Sequence, residues 1–110
     1  MDNLYSIPDP KTVQEGKEVF IPLLQNNRGL LVERIISHGH ITPENTWYDQ
    51  DRDEWVAVLE GEARIRYENG EEILLTRGSQ LLLPKHVKHR VVYTSIPCIW
   101  LAIHADQLAI

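Results

Sequence analysis

No stretch of this chain constrains its fold more than Glu62–Glu68. Glu62, Arg64, Arg66 and Glu68 alternate there with Ala63, Ile65 and Tyr67. A period of two places the charges on one side and the apolar groups on the other, which is the pattern of a strand with one wet and one dry face. Asn69-Gly70 follows. That pair favours positive φ at both centres of a two-residue type I′ turn, so Glu71–Thr76 reads as the returning strand of a hairpin.

The rest of the chain reads in the same short units. Met1–Gln14, with Pro8 and Pro10, is expected to form an extended arm with a short strand at Leu4–Ser6. Glu18–Gln25 reads as a strand in which Pro22 points to an edge position or a bulge. Asn26-Asn27-Arg28-Gly29 is a turn by composition, and Leu30–Ser37 is a second strand. His38–Asp53 is polar and irregular, and Glu54–Glu60 is an apolar strand. Arg77-Gly78 turns the chain into Ser79–Leu83, which Pro84 stops. His89–Thr94 and Cys98–His104 then flank a Ser95-Ile96-Pro97 turn. No segment of useful length has helical spacing. About eight short strands imply an all-β sandwich or barrel. With 110 residues the expectation is one domain, an arm over 1–16 and a barrel over 17–110.

Composition narrows the function. The net charge is −5 and the basic residues form no stripe, which argues against nucleic acid. No apolar run approaches the roughly 20 residues that span a bilayer, so no membrane partner is expected. No basic start followed by an apolar run marks a signal peptide. The single cysteine, Cys98, rules out an internal disulfide framework and fits a reducing compartment. The expectation is a cytoplasmic protein with a small-molecule ligand.

Between Glu54 and His89 the sequence resembles the cupins. Their first motif ends in a glutamate, six residues and a glycine, matched by Glu54 and Gly61; the run Val58-Leu59-Glu60-Gly61-Glu62 is similar to the family's usual wording. Their second motif is a glycine, five residues, a proline and a histidine five positions later, matched by Gly78, Pro84 and His89. The resemblance covers about residues 30–104. It implies an antiparallel double-stranded β-helix, the cupin or jelly-roll barrel. Gly61 and Gly78 stand where tight turns need φ > 0. With Glu54 inward, Val56 and Val58 follow it inward, while Trp55, Ala57 and Leu59 face outward and are also apolar. A strand apolar on both faces needs cover on both, and a homodimer would supply it.

The resemblance also implies a site. Metal-binding cupins carry two histidines, one residue apart, shortly before the motif glutamate; Tyr48 and Gln50 occupy those positions here. Glu54 and His89 remain as candidate metal ligands, expected to face each other across the barrel mouth and act as one unit. Gln50, His86 and His40 are further candidates. His86 replaces a motif glycine, and His40 belongs to His38-Gly39-His40, far upstream. Tyr48, Tyr93 and Trp47 are candidate pocket residues. His104, on the face of Cys98, Trp100 and Ala102, reads as structural. Imidazole plus carboxylate suits one divalent transition metal (Fe, Mn, Ni or Zn). The alternatives are no cofactor, with a metal-free acid/base or ligand-binding site like that of the fold's epimerases, or a non-enzymatic sensor or partner module.

Overall fold

The computed structural model describes residues 3–9 and 13–108; the parts of the expected arm at 1–2 and 10–12, and residues 109–110, lie outside them. Eight strands follow in order: β1 Glu18–Gln25, β2 Leu31–Ser37, β3 Asp53–Glu60, β4 Ala63–Tyr67, β5 Glu72–Leu75, β6 Gln80–Leu83, β7 His89–Thr94 and β8 Cys98–Ala105. They form a five-stranded sheet, β1-β2-β8-β3-β6, and a three-stranded sheet, β5-β4-β7, with every pairing antiparallel. The fold is the all-β jelly roll. No helix among the described residues is long and apolar enough to cross a membrane.

The core lies between the sheets. Val56 and Val58 of β3, Ala63 and Ile65 of β4, and Trp100 and Ala102 of β8 are buried together with Leu75, Leu83 and Cys98. Each fully buried aliphatic side chain there contributes about 1.5–3 kcal/mol. Burial pushes the Cys98 thiol up to about 12, against a smaller opposing effect of Ser95, so it is an inert core group rather than a nucleophile.

The back of the larger sheet is covered on its β2 side. Ile36 and Ile99 face each other in register and are buried. Arg34, also buried, donates from Nη1 to the carbonyls of Leu4 and Ser6. The N-terminal segment is therefore held by its backbone, but not as the expected strand. Asn3 accepts from Ser6 N through its carbonyl at 2.9 Å and from Tyr5 N through Oδ1 at 2.7 Å. A local asparagine turn thus wins over extension at Leu4–Ser6.

Two further local details follow from backbone chemistry. Pro22 lies on edge strand β1, and the register slips between Pro22 and Leu24, the bulge that a missing N–H favours. The β4–β5 hairpin differs from expectation. Tyr67 N bonds Glu71 O and Gly70 N bonds Tyr67 O, enclosing three residues, and only Gly70 (φ 91°), not Asn69, is left-handed. Asn69 uses its Oδ1 to accept from Glu71 N instead. The turn is a three-residue loop with a left-handed glycine rather than type I′.

Gly61, at φ 86°, closes β3 against the turn before β8. A Cβ there would collide with Ser95 Oγ and the Pro97 carbonyl oxygen. Gly70 has a similar φ with open space around it. In urea unfolding, Gly70→Ala should cost about 1 kcal/mol from φ alone. Gly61→Ala should cost more than about 2 kcal/mol, since strain and a backbone collision add.

Candidate functional site

The β8 register assembles the polar end of the barrel. Alternation along β8 turns Cys98, Trp100, Ala102 and His104 inward, and pairing sets His104 opposite Glu54 of β3 and Ala102 opposite Glu33 of β2. His104 Nε2 lies 2.9 Å from Glu33 Oε2 and 3.6 Å from Glu54 Oε2. With carboxylate oxygens as its neighbours, Nε2 must carry a proton, and it donates to Glu33. Glu54 Oε1 accepts from Gln50 Nε2 at 3.1 Å. Glu33, Glu54 and His104 are all under 9% exposed, where a carboxylate needs such partners to remain ionised.

His89 stands on the facing sheet. Its backbone pairs with Tyr48 in both directions, Tyr48 N to His89 O at 2.8 Å and His89 N to Tyr48 O at 3.2 Å. The two rings lie 5.5 Å apart, tilted by 31°. His89 Nδ1 is 3.1 Å from the Val87 carbonyl. A carbonyl only accepts, so Nδ1 carries a proton. His89 is buried, at 4% exposed.

These groups line a cavity of about 120 Å³. Its walls are mostly apolar, from Phe20, Ile35, Val56, Ile65, Leu83 and Val91, with Trp100 donating its indole N–H to Ser37 Oγ at 3.1 Å. A third carboxylate enters from β1. Glu18 Oε2 accepts from Ser37 Oγ at 3.5 Å, and Oε1 is 3.3 Å from His40 Nε2. Burial raises the Glu18 carboxyl above its ordinary range; Glu33 and Glu54 push the same way, while His40 and the Ser37 bond oppose. Burial likewise raises Tyr48, helped by the negative charges of Glu18 and Glu54.

Of the expected site residues, Glu54, His89, Gln50 and Tyr48 line this cavity. Glu54 and His89 share it but bond to different partners, so they do not form one ion pair. His86 is outside: it adopts a left-handed backbone (φ 62°) on the exposed rim and pairs with Asp49 at 3.0 Å. His40 does not line the cavity and lies behind Glu18, with Nδ1 at 3.3 Å from the Gly16 carbonyl. Tyr93 is 43% exposed, on the outer face of β7 opposite Arg64. Trp47 lies outside under Arg90, whose guanidinium carbon is 5.7 Å from the ring centroid. Sequence reasoning missed Glu33, Glu18 and the role of His104. The available signal was a polar residue on an otherwise apolar inward face, as in Glu33-x-Ile35 and Trp100-x-Ala102-x-His104.

The donor set does not suit a divalent transition metal. Among the described residues no group of three or more His, Cys, Asp or Glu is arranged to hold one. Glu54 already bonds Gln50, and His104 Nε2 donates a proton where a ligand would offer a lone pair. What the arrangement can do is exchange protons: the imidazoles of His89 and His104 and the Tyr48 hydroxyl stand with three carboxylates around one cavity.

The cupin domain family matches residues 32–104. No curated protein matches the sequence significantly. Among solved structures, a proposed mannose-6-phosphate isomerase from Ralstonia eutropha JMP134 is 39% identical, with a TM-score of 0.86 over 97% of this chain and 98% of that one. A cupin superfamily protein from Desulfitobacterium hafniense DCB-2 is 20% identical, with a TM-score of 0.72 over 86% of this chain and 83% of its own. The cobalt(II) form of HppE is 21% identical, with a TM-score of 0.67 over 84% of this chain and 55% of its own. These last two show the shared fold alone. Two sheets in this order, Glu54 and Gly61 closing one motif, Gly78, Pro84 and His89 the other, and a family match across most of the barrel leave one conclusion: the chain belongs to the cupin family.

Proposed function

We propose that this cupin is a metal-independent small-molecule-binding protein whose barrel mouth works by acid–base chemistry. The observation that carries this reading is the commitment of the motif glutamate. Glu54 is bonded to Gln50 and lies beside a protonated His104 nitrogen, so the position that would anchor a metal serves an internal proton network instead. His89 supplies the base, and Tyr48, packed on its ring, supplies a hydroxyl. The sugar phosphate named for the Ralstonia relative fits this cavity poorly. A cavity of about 120 Å³ is smaller than the roughly 150 Å³ that accommodates benzene. No lysine or arginine lines it among the described residues.

The metal reading keeps one observation in its favour, the His89 imidazole and the Glu54 carboxylate in one cavity. Elemental analysis of protein purified without chelator or affinity metal separates the two. Far less than one metal per chain is expected. Stoichiometric Fe, Mn, Ni or Zn that disappears in both His89→Ala and Glu54→Gln would replace our reading with a metal site.

The proton network has a stability signature. Removing His104 leaves the buried Glu33 carboxylate without its donor and takes away the imidazole beside Glu54. His104→Ala should therefore lower unfolding free energy by about 3–5 kcal/mol. His86→Ala, on the exposed rim, should stay within about 0.5 kcal/mol. Equal effects in a denaturant titration would mean that the Glu33–His104–Glu54 cluster is not a structural unit.

We also propose that a second copy of the chain covers the other half of the large sheet's back. Trp55 lies beside Leu82 and Ile103 in register, and Ala57 beside Leu101. All but Ala57 are large and apolar, and all are half-buried. Arg34 holds the N-terminal segment on the β2 side through the Leu4 and Ser6 carbonyls. Light scattering should give twice 12.7 kDa, and Trp55→Glu should return the chain to monomer. A monomeric parent protein at micromolar concentration would refute the dimer.

A further inference from the structure

The outer face of the three-stranded sheet carries positive charge that neither the core nor the cavity uses. Alternation along β4 turns Ala63, Ile65 and Tyr67 toward the core and Arg64 and Arg66 outward. Pairing with β7 sets Arg90 directly opposite Arg66 and Tyr93 opposite Arg64. On the other side, β5 brings Glu72 beside Arg66 and Leu74 beside Arg64. Like charges directly opposite each other on neighbouring strands are destabilising. One carboxylate serves the three guanidiniums. Glu72 accepts from Arg66 at 2.8 and 3.0 Å and lies 3.8 Å from Arg64 Nε, and Arg90 forms no ion pair among the described residues. Lys88 and Glu68, 3.5 Å apart, offset each other at the edge of the face. The chain as a whole carries −5, so this local excess runs against its own composition.

A second observation is the way Arg90 is held. Its Nη2 donates to the Thr42 carbonyl at 3.0 Å, its guanidinium lies over the Trp47 ring, and its Nε–H is buried without an acceptor. A donor buried unpaired is costly; the cation–π contact and the Thr42 bond keep it there. The guanidinium is therefore ordered before any partner arrives, which removes part of the entropy cost of docking. Apolar surface lies alongside, with Tyr93 43% and Leu74 49% exposed on either side of Arg64. Arginine and aromatic side chains are the types that concentrate in protein interfaces.

We propose that this face docks an extended acidic segment of a protein partner, its carboxylates on Arg66 and Arg90 and its apolar side chains on Tyr93 and Leu74. Planar guanidiniums bind carboxylates through paired N–H donors. Three of them on one small sheet match a few carboxylates, whereas the long phosphate run of a nucleic acid would meet a chain of net charge −5. The face is separate from the barrel cavity and from the back of the larger sheet.

The probe is the peptide acetyl-Leu-Ser-Glu-Ser-Glu-Ser-Leu-amide, which sets leucine and glutamate on one side of an extended chain. Its control carries glutamine in place of both glutamates. Binding is read by NMR from the arginine Nε–H resonances and the Leu74 and Tyr93 backbone amides of isotope-labelled protein at constant ionic strength. The acidic peptide should bind with a Kd of about 1 mM or tighter, and about tenfold tighter than its control. Arg66→Gln and Arg90→Gln should each weaken it about threefold. Arg66, with its side chain 42% exposed, keeps the test open if Arg90→Gln is unstable. Arg28→Gln removes the same charge from the exposed turn between β1 and β2 and should change nothing. Equal binding of the two peptides, no response by about 1 mM, or an equal loss in Arg28→Gln overturns the proposal. A single-stranded oligonucleotide that moves the same resonances at lower concentration than the peptide replaces the protein partner with a nucleic acid. Self-association that disappears in Arg66→Gln and Arg90→Gln replaces it with a second copy of this chain.

Discussion

A buried imidazole N–H that donates to Glu33 and lies beside Glu54 is the interaction around which this barrel's mouth is organised. Glu33 and Glu54 belong to strands that never touch each other; both pair with β8, and His104 stands between them. Taking a carboxylate out of water costs several kcal/mol unless a donor replaces the lost hydration. The register of β2 on β8 and of β3 on β8 is therefore tied to the polar cluster as well as to the apolar core. A slip of one residue in either ladder would turn a glutamate to the back of the sheet and bring an apolar neighbour to the mouth.

The same cluster explains how this site departs from the metal-binding cupin pattern. With Tyr48 and Gln50 in the positions of the two histidines, the motif glutamate has lost two lone-pair donors beside it. It has gained a hydrogen-bond donor in Gln50 and a proton-bearing neighbour in His104. His89 keeps its motif position, with Nδ1 held by the Val87 carbonyl. Fold membership and chemical function separate here because they rest on different residues.

Much of the architecture was legible from the chain. The strands at Glu18–Gln25 and His89–Thr94 fall where the pattern put them, and the Pro22 irregularity was signalled by the proline itself. Errors came where side-chain bonding overrode backbone preference. Asn3 turned the expected Leu4–Ser6 strand into a turn, and Asn69 kept an ordinary φ by accepting from Glu71 N. Within the site, Glu54, His89, Gln50 and Tyr48 were legible through motif position. His86, His40 and Trp47 lie outside the cavity, because residue type and nearness along the chain carry no information on which face a loop residue presents; Tyr93 faces outward because β7 slips its register on β4 between Val91 and Tyr93.

What the sequence determined by itself is what alternation and local chemistry can encode: which residues of a strand share a face, where glycine must turn the chain, and where one strand ends. Residues Cys98, Trp100, Ala102 and His104 share a face as a matter of period-two geometry. What only the tertiary structure decided is which strands meet. His104 lies 50 positions after Glu54 and 71 after Glu33 along the chain. Nothing in the spacing says that β8 inserts between β2 and β3, since strand order follows from closing two sheets over one core rather than from any local signal. The Glu33–His104–Glu54 cluster is a consequence of that insertion.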